Sequence, residues 1–176
     1  KGNATVVYDE IGVPHIFADN EEDLMYAQGY VEAKDRLWQM EFQMYAAAGR
    51  LTELVGKKAL DLDRFSRRIG LVRAAKTSLI EIENNPVSKM IVDNFTAGVN
   101  AYIHQLSKAE IPVEYKLIGY TPEDWTPLKC ALLMKYMAKD LTYYDVDVEN
   151  TNALRKFGEE AYKKMYPDFP FGLDPI

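Results

Sequence analysis

The sequence has little cysteine and little histidine, and both shortages limit the chemistry that the chain can carry. Among its 176 residues are 1 Cys and 2 His. One cysteine excludes an internal disulfide framework and a zinc site built on cysteines. The two histidines, His15 and His104, lie too far apart in sequence to show a metal-ligand spacing. Cys130 lies in an apolar helical segment and is expected to be a small core residue.

Long apolar runs and an excess of positive charge are also missing. No run approaches the roughly 20 apolar residues that a membrane span needs, so we expect none. The net charge of -6 argues against a nucleic-acid partner. No signal-peptide pattern begins at Lys1, so we expect an exported form to have lost its targeting segment. With 48% hydrophobic and 27% charged residues, the composition is that of a soluble globular chain.

The first twenty residues predict a β-hairpin. Two runs rich in β-forming residues, 5–9 and 13–18, are separated by a turn that contains Gly12. Pro14 cannot donate a hydrogen bond to a neighbouring strand, so the second run is expected to begin a strand or to lie at an edge.

The rest of the chain is predicted to be mostly helical. Asn20 is a good N-cap for a long helix whose apolar residues recur at helical spacing and which Gly49 ends. Residues 57–70 and 111–127 are expected to be irregular, the latter with one short extended piece. Further helices are predicted at 71–82, 87–106, 127–141 and 150–166. The fold class is therefore mainly α with a short N-terminal β-hairpin.

An acidic cluster is the first candidate for chemistry. Asp145, Asp147 and Glu149 alternate along the chain, and in an extended segment their oxygens would lie on one side, as a calcium site requires. The alternative is a solvated loop that leads into a helix, with Glu149 as a first-turn charge. The residues alone leave both interpretations open.

Two charged pairs lie among large apolar residues. The charges of Asp35 and Arg36, and those of Arg67 and Arg68, are expected to take part in buried or interface ion pairs with a structural role.

No complete nucleophilic site is visible in the residues. Such a site needs a base within hydrogen-bond reach of a Ser, Cys or Thr. His15 and His104 are both expected to be packed or surface histidines, and there is no Gly-rich phosphate loop.

Several ordered runs of residues carry a resemblance to a known family. The first reads Asp-Glu-Ile-Gly-Val-Pro-His-Ile at 9–16 and the third Gly-Arg-Leu at 49–51. Between them, residues 29–41 read Gly-Tyr-Val-Glu-Ala-Lys-Asp-Arg-Leu-Trp-Gln-Met-Glu. These runs resemble the start of the α subunit of the penicillin acylase family of N-terminal-nucleophile hydrolases. Weaker matches lie at 95–102, 125–127 and 147–150.

The resemblance implies that residues 1–176 form a single α-subunit domain of an αββα fold, packed on a β subunit of the same precursor. In this family the precursor is cut autocatalytically. The new N-terminal serine of the β subunit is the nucleophile, and its own α-amino group is the base. No catalytic residue is therefore expected in this chain.

The implied function is hydrolysis of the amide bond of small N-acyl compounds of the β-lactam or acyl-homoserine-lactone type. One alternative is a helical binding or scaffold module that keeps the fold without the chemistry. Another is an independent hydrolase that uses His15 or His104.

The resemblance also implies two substrate-binding residues. Met137 matches a methionine of the family's acyl pocket, and Leu141 falls where penicillin G acylases carry an aromatic residue. Asp140 falls where those enzymes carry an arginine. These differences from penicillin G acylases, at Leu141 and at Asp140, argue against a preference for phenylacetyl substrates. The aliphatic side chain of Leu141 offers no ring stacking to a phenyl group. The alternative is that Met137 and Leu141 are ordinary core residues four apart on a helix.

A metal and a location are implied in the same way. The family's calcium site takes one acidic ligand from the α subunit, and Asp147 falls at that place with Glu149 two residues on. Either could be the ligand of a structural calcium ion, and no organic cofactor is expected. The resemblance implies a periplasmic or secreted protein.

Overall fold

A computed structural model describes residues 2–142 and 146–167 of the chain. Contacts divide the chain into two compact units, Lys1–Asp140 and Leu141–Ile176, and each is described by itself. The description of residues 1–176 as a single domain stays a prediction. Within the described ranges, no helix combines the length and the apolar character that a bilayer span requires.

The predicted hairpin is confirmed. β1 (Ala4–Tyr8) pairs antiparallel with β2 (Pro14–Ala18). Pro14 begins β2, where its missing N–H interrupts no ladder. In the turn, the Asp9 carboxylate accepts two backbone N–H bonds at 3.0 and 2.8 Å, and the bonds to backbone hold the pKa of Asp9 below its usual value. Gly12 adopts φ 82°, a left-handed conformation that glycine permits.

The long first helix, α1 (Glu21–Ala48), has the predicted ends. The Asn20 side chain accepts the Asp23 N–H at 2.8 Å, and Gly49 closes the helix with φ 67°. One residue inside α1, Arg36, has a non-helical backbone (φ -139°, ψ 18°) and marks a kink.

Six further helices and a short 3₁₀ turn follow α1 up to residue 142. They are α2 (Leu51–Val55), the 3₁₀ turn (Gly56–Ala59), α3 (Leu60–Ile69), α4 (Leu71–Asn84), α5 (Pro86–Gln105), α6 (Val113–Ile118) and α7 (Pro127–Thr142). The Asn85 side chain caps α5 and Pro86 is its first residue, which suits a ring without an N–H.

Two segments expected to be irregular are helical. Residues 57–70 form the 3₁₀ turn and α3, because acidic residues near the start of α3 and arginines in its last turn suit the helix dipole. Residues 113–118 form α6, whose only fully buried side chain, Tyr115, contacts α1. That tertiary contact outweighs the β-forming tendency of Val113 and Tyr115.

The core of the first unit is assembled around the crossing of α1 and α5. It lies where α1, α4, α5, α6 and α7 meet. At the crossing, a Cβ on Gly29 would lie 2.2 Å from the Phe95 carbonyl oxygen. A Cβ on Gly98 would lie 2.0 Å from the Tyr26 carbonyl oxygen. Two glycines therefore permit a backbone-to-backbone approach that no other residue allows.

Residues 146–167 of the second unit form two helices where one was predicted. α8 (Asp147–Phe157) and α9 (Glu159–Met165) are separated at Gly158, whose φ of 78° interrupts the helix. Neither helix has a buried side chain. Asp147 and Glu149 lie in the first turn of α8. The expectation that they lie in an extended segment is therefore wrong, because the backbone there is helical. Asp145 lies outside the described residues.

Replacing Gly98 by Ala tests the helix crossing. We expect G98A to lower the free energy of unfolding by about 3 kcal/mol, because the added methyl group overlaps the α1 backbone. Helix propensity alone would raise stability by about 1 kcal/mol. Urea unfolding of the protein made from its full reading frame measures the difference. Ala97→Gly at the neighbouring exposed position is the control, with an expected loss of about 1 kcal/mol. A stabilised G98A would refute the close approach.

Candidate functional site

One side of α7 exposes three large apolar side chains. Met134, Met137 and Leu141 are 50%, 50% and 75% exposed, and their spacing of three and four residues places them on one side of the helix. Met137 and Leu141 are predicted from the sequence, whereas Met134 is not, although the same helical spacing includes it. The interpretation of Met137 and Leu141 as ordinary core residues is wrong for the chain by itself. Their role in substrate binding stays a prediction.

The opposite side of α7 is held against the core near its beginning. Lys129, Ala131 and Leu132 are buried, and Leu133 and Tyr136 are half-buried against the core. The first half of α7 is therefore fixed, whereas its apolar outer side is open to a ligand or a partner.

A carboxylate lies buried beneath the start of α7. Glu41 of α1 is 1% exposed. One of its oxygens accepts the Tyr115 hydroxyl, and the other accepts the Glu123 N–H at 2.8 Å. The Lys129 ammonium lies 3.9 Å from the second oxygen. Burial raises the pKa of Glu41, although these hydrogen bonds and Lys129 oppose the rise.

A second carboxylate, that of Glu123, contacts two cations and two hydroxyl groups. Arg50 contacts both of its oxygens, at 2.8 and 3.2 Å, and Lys129 lies 3.2 Å from one of them. The hydroxyls of Tyr45 and Tyr120 donate to it at 2.8 and 3.0 Å. The Arg50 hydrogen bonds are the largest cause that lowers the pKa of Glu123 to about 2. Glu41 and Glu123 thus both contact Lys129, but the pKa of Glu41 is raised whereas that of Glu123 is lowered.

The Gly-Arg-Leu run at 49–51 forms hydrogen bonds with α3 that stabilise the start of α2. The Asp63 carboxylate accepts the N–H groups of Leu51 and Thr52, each at 2.8 Å, and so caps α2 from a distance in sequence. Desolvation opposes ionisation of Asp63, but the hydrogen bonds from Thr52 and Leu51 outweigh it and lower the pKa of this group. The Arg67 Nε donates to the Gly49 carbonyl at 2.8 Å.

The four charges expected to form buried or interface pairs are exposed in the chain. Asp35, Arg36, Arg67 and Arg68 all lie on outward sides of their helices, because the apolar neighbours in sequence turn toward the core. Arg36 donates to the Asp35 carbonyl at 3.3 Å. The expectation of burial is therefore wrong for the chain by itself.

Both histidines are surface residues, as expected. The His15 ring lies 3.3 Å from the Asp9 carboxylate, and the His104 ring 2.8 Å from the Asp124 carboxylate. Each histidine pairs with an acid rather than with a hydroxyl or thiol, so the geometry does not support a hydrolase built on them.

Cys130 is a half-buried packing residue. The Trp125 indole N–H lies 3.2 Å from its sulfur, and burial raises the pKa of the thiol. A raised pKa disfavours the thiolate that a nucleophilic cysteine needs. The thiol borders a cavity of about 380 Å³ between α1, α5 and α7, which is lined mainly by apolar side chains such as Met40 and Phe95.

The two acids proposed for calcium binding are both exposed. Because Asp147 and Glu149 are two apart on a helix, they point in different directions and cannot share one ion easily. In the ranges 2–142 and 146–167, no group of three or more candidate ligands is found. The metal role of Asp147 and Glu149 stays a prediction.

Comparison with known proteins identifies the family of this chain. A sequence model of the penicillin amidase family matches residues 3–172, and the chain belongs to this family. Acyl-homoserine lactone acylase QuiP of Pseudomonas aeruginosa is 31% identical over 170 residues, which cover 96% of this chain and 20% of that protein. Penicillin acylase 2 proenzyme of a Pseudomonas species is 36% identical over 127 residues, which cover 72% and 16%. The chain thus spans about a fifth of the length of these relatives.

The fold has a match among solved structures. A thermostable penicillin G acylase from Alcaligenes faecalis superposes with a TM-score of 0.82 at 21% identity, covering all of this chain and 97% of the matched chain. The match confirms the predicted fold class, and the family match confirms the resemblance seen in the sequence.

The ionisation of Glu123 predicts a dependence of stability on pH. The pKa of Glu123 in the folded chain, about 2, is lower than its ordinary value of 4.5. Its contribution to stability is therefore complete above pH 4.5 and is lost as the pH falls toward 2. We expect Glu123→Gln to remove about 2–3 kcal/mol at pH 7 and to flatten the acid limb of the stability curve.

Urea unfolding at a series of pH values measures this effect. Glu53→Gln is the matched control, since Glu53 binds the same Arg50 but has a 44% exposed side chain. An equal effect in both variants, or an unchanged acid limb in E123Q, would contradict the assignment.

Proposed function

We propose that this chain is the α subunit of an acylase that hydrolyses the amide bond of small N-acyl compounds of the acyl-homoserine-lactone or β-lactam type. The family match over nearly the whole chain, with relatives named for both activities, carries this proposal. The described residues provide an exposed apolar surface on α7 for the acyl group.

The chemistry is assigned to a β subunit from the same precursor. Its N-terminal serine hydroxyl attacks the amide carbonyl, and its α-amino group, with an ordinary pKa near 8, accepts the hydroxyl proton. Expulsion of the amine leaves an acyl-enzyme, which water hydrolyses to the free acid. The word proenzyme in the name of one relative supports an origin by processing. The α subunit contributes the binding and desolvation of the acyl group.

The outer side of α7 is proposed as one wall of the acyl pocket. Met134, Met137 and Leu141 offer thioether and aliphatic contacts and no aromatic ring. Such a wall suits a flexible aliphatic acyl chain better than a phenylacetyl group, which gains from ring stacking. Among the two substrate types, this favours acyl-homoserine lactones.

An obligate heterodimer is part of the proposal. The helices α8 and α9 have no buried side chain, and apolar residues such as Ile11, Phe17 and Leu117 are 86%, 62% and 79% exposed. A two-stranded hairpin is also too small to be stable without further strands. A β subunit would cover these surfaces. A periplasmic or secreted location is proposed on the family resemblance alone.

Production of the full reading frame tests the enzymatic proposal. We expect processing to a chain that begins with serine, co-purification of the two chains, and hydrolysis of decanoyl p-nitroanilide in preference to the phenylacetyl compound. Met137→Ala is expected to lower kcat/KM for the decanoyl substrate by about 10-fold, because it removes apolar contact with the acyl chain. Met165→Ala, at a similarly exposed methionine of α9, is the control.

Two outcomes would decide against the enzyme. A correctly processed serine with no cleavage of any N-acyl substrate would overturn the proposal. A downstream sequence without Ser, Cys or Thr at the processing site would favour the inactive scaffold.

We propose further that Asp147 or Glu149 donates one ligand to a structural calcium ion completed by the β subunit. EGTA is expected to lower the Tm of the processed protein by several degrees, because a metal that binds only the folded state stabilises it. In Asp147→Asn or Glu149→Gln, whichever carries the ligand, this response is expected to disappear. Glu159→Gln, in the first turn of α9, is the control. A Tm unaffected by EGTA would contradict calcium binding.

A further inference from the structure

We propose that Lys129 and Glu41 are positioning residues that set the orientation of α7, and thereby the place of Met137 in the acyl pocket. The inference rests on the function proposed above for the outer side of α7. It concerns residues that touch no substrate and that act through the helix they hold.

The start of α7 is tied to α1 through a buried ion network. Lys129 is only 8% exposed, and its ammonium donates to the Asp124 carbonyl at 2.8 Å. The same ammonium lies 3.2 Å from the Glu123 carboxylate and 3.9 Å from that of Glu41. In the part of the chain that the structure describes, every buried side-chain nitrogen and oxygen has a partner. One hydrogen bond and two ion contacts therefore hold the first turn of α7 in place.

A second tie connects the segment before α7 to α5. The Asn100 side chain donates to the Trp125 carbonyl at 3.0 Å and accepts the Trp125 N–H at 2.7 Å. The Thr126 hydroxyl accepts the Lys129 N–H at 3.3 Å and caps the helix. The beginning of α7 is thus fixed from two neighbouring helices.

The far half of α7 is held much less firmly. No α7 residue after Leu132 is buried, and the inward contacts beyond it come from half-buried side chains. Leu133 and Tyr136 pack against the core, and the Lys139 ammonium lies 5.8 Å from the centre of the Phe65 ring. Met137 lies eight residues beyond Lys129, which corresponds to about 12 Å along the helix axis. A tilt of about 5° at Lys129 would move Met137 by about 1 Å, a displacement that is large for a binding surface.

A buried charge suits this positioning task better than an apolar contact does. Burying an ion pair contributes little net stability, because desolvation offsets the attraction. A hydrogen bond to a carbonyl, together with ion contacts to two carboxylates, favours one arrangement, whereas methylene groups pack in several. Lys129→Met keeps the length of the side chain but leaves Glu41 and Glu123 without their shared cation, so α7 is expected to lose its defined tilt.

Kinetics of the processed two-chain protein provide the first test. For K129M we expect about a 10-fold higher KM for decanoyl p-nitroanilide, with kcat for an acetyl substrate within about 2-fold of wild type, because only the long acyl chain reaches Met137. Glu41→Gln should lower the ratio of decanoyl to acetyl kcat/KM in the same way as K129M. Lys129→Arg, which retains the cation, should restore part of this ratio. Lys89→Met is the matched control, since Lys89 forms an exposed ion pair with Asp93 on α5.

Hydrogen exchange provides a test that does not need activity. We expect backbone amides of residues 133–140 to exchange faster in K129M than in wild type, and to be unchanged in K89M. Leu71→Ala, a core change in α4, controls for a general loss of stability.

The two readouts separate the possible failures. Unchanged exchange in K129M, or exchange that rises only as much as in L71A, overturns the positioning role. An unchanged ratio of long-chain to short-chain kcat/KM in K129M overturns it as well. If the wild-type protein cleaves no N-acyl substrate, the proposed function fails, and exchange alone still decides whether Lys129 orients α7.

Discussion

The contact between the backbones of α1 and α5 is the constraint on which the rest of the first unit depends. Gly29 and Gly98 remove the side chains that would separate the two helices, and the carbonyls of Phe95 and Tyr26 occupy the space. Once this crossing is fixed, α1 presents Glu41 and Tyr45 on one side, and α5 presents Asn100 nearby. The segment before α7 is held between these two sets of polar groups.

The polar network under α7 combines two carboxylates whose pKa values move in opposite directions. The pKa of Glu41 is raised because water is excluded from its carboxyl group. The pKa of Glu123 is lowered by Arg50, by tyrosine hydroxyls and by Lys129. In the described residues, every buried side-chain nitrogen and oxygen of this network has a partner.

Much of the fold could be predicted from local signals, because those signals are stereochemical. Asn20, Asn85 with Pro86, and Gly49 mark helix ends through hydrogen bonds and backbone angles that depend on few neighbours. The errors concern segments whose structure depends on distant residues. Residues 113–118 become helical where Tyr115 reaches Glu41, and Asp63 caps α2 from twelve residues beyond Leu51. The exposure of Met137 and Leu141 was likewise hidden in the sequence, since an apolar residue at helical spacing looks the same on either side of a helix.

The uneven attachment of α7 has a consequence for how such a protein can diversify. Its first turns pack against the core, and the side chains at 134, 137 and 141 are exposed in the part of the chain that the structure describes. Under the function proposed above, exchanges at these three positions would change the shape offered to the acyl group at little cost in folding free energy. Acyl selectivity would then depend on one part of the helix and folding on another. A library limited to these positions would explore new specificities while nearly all of its members remain folded.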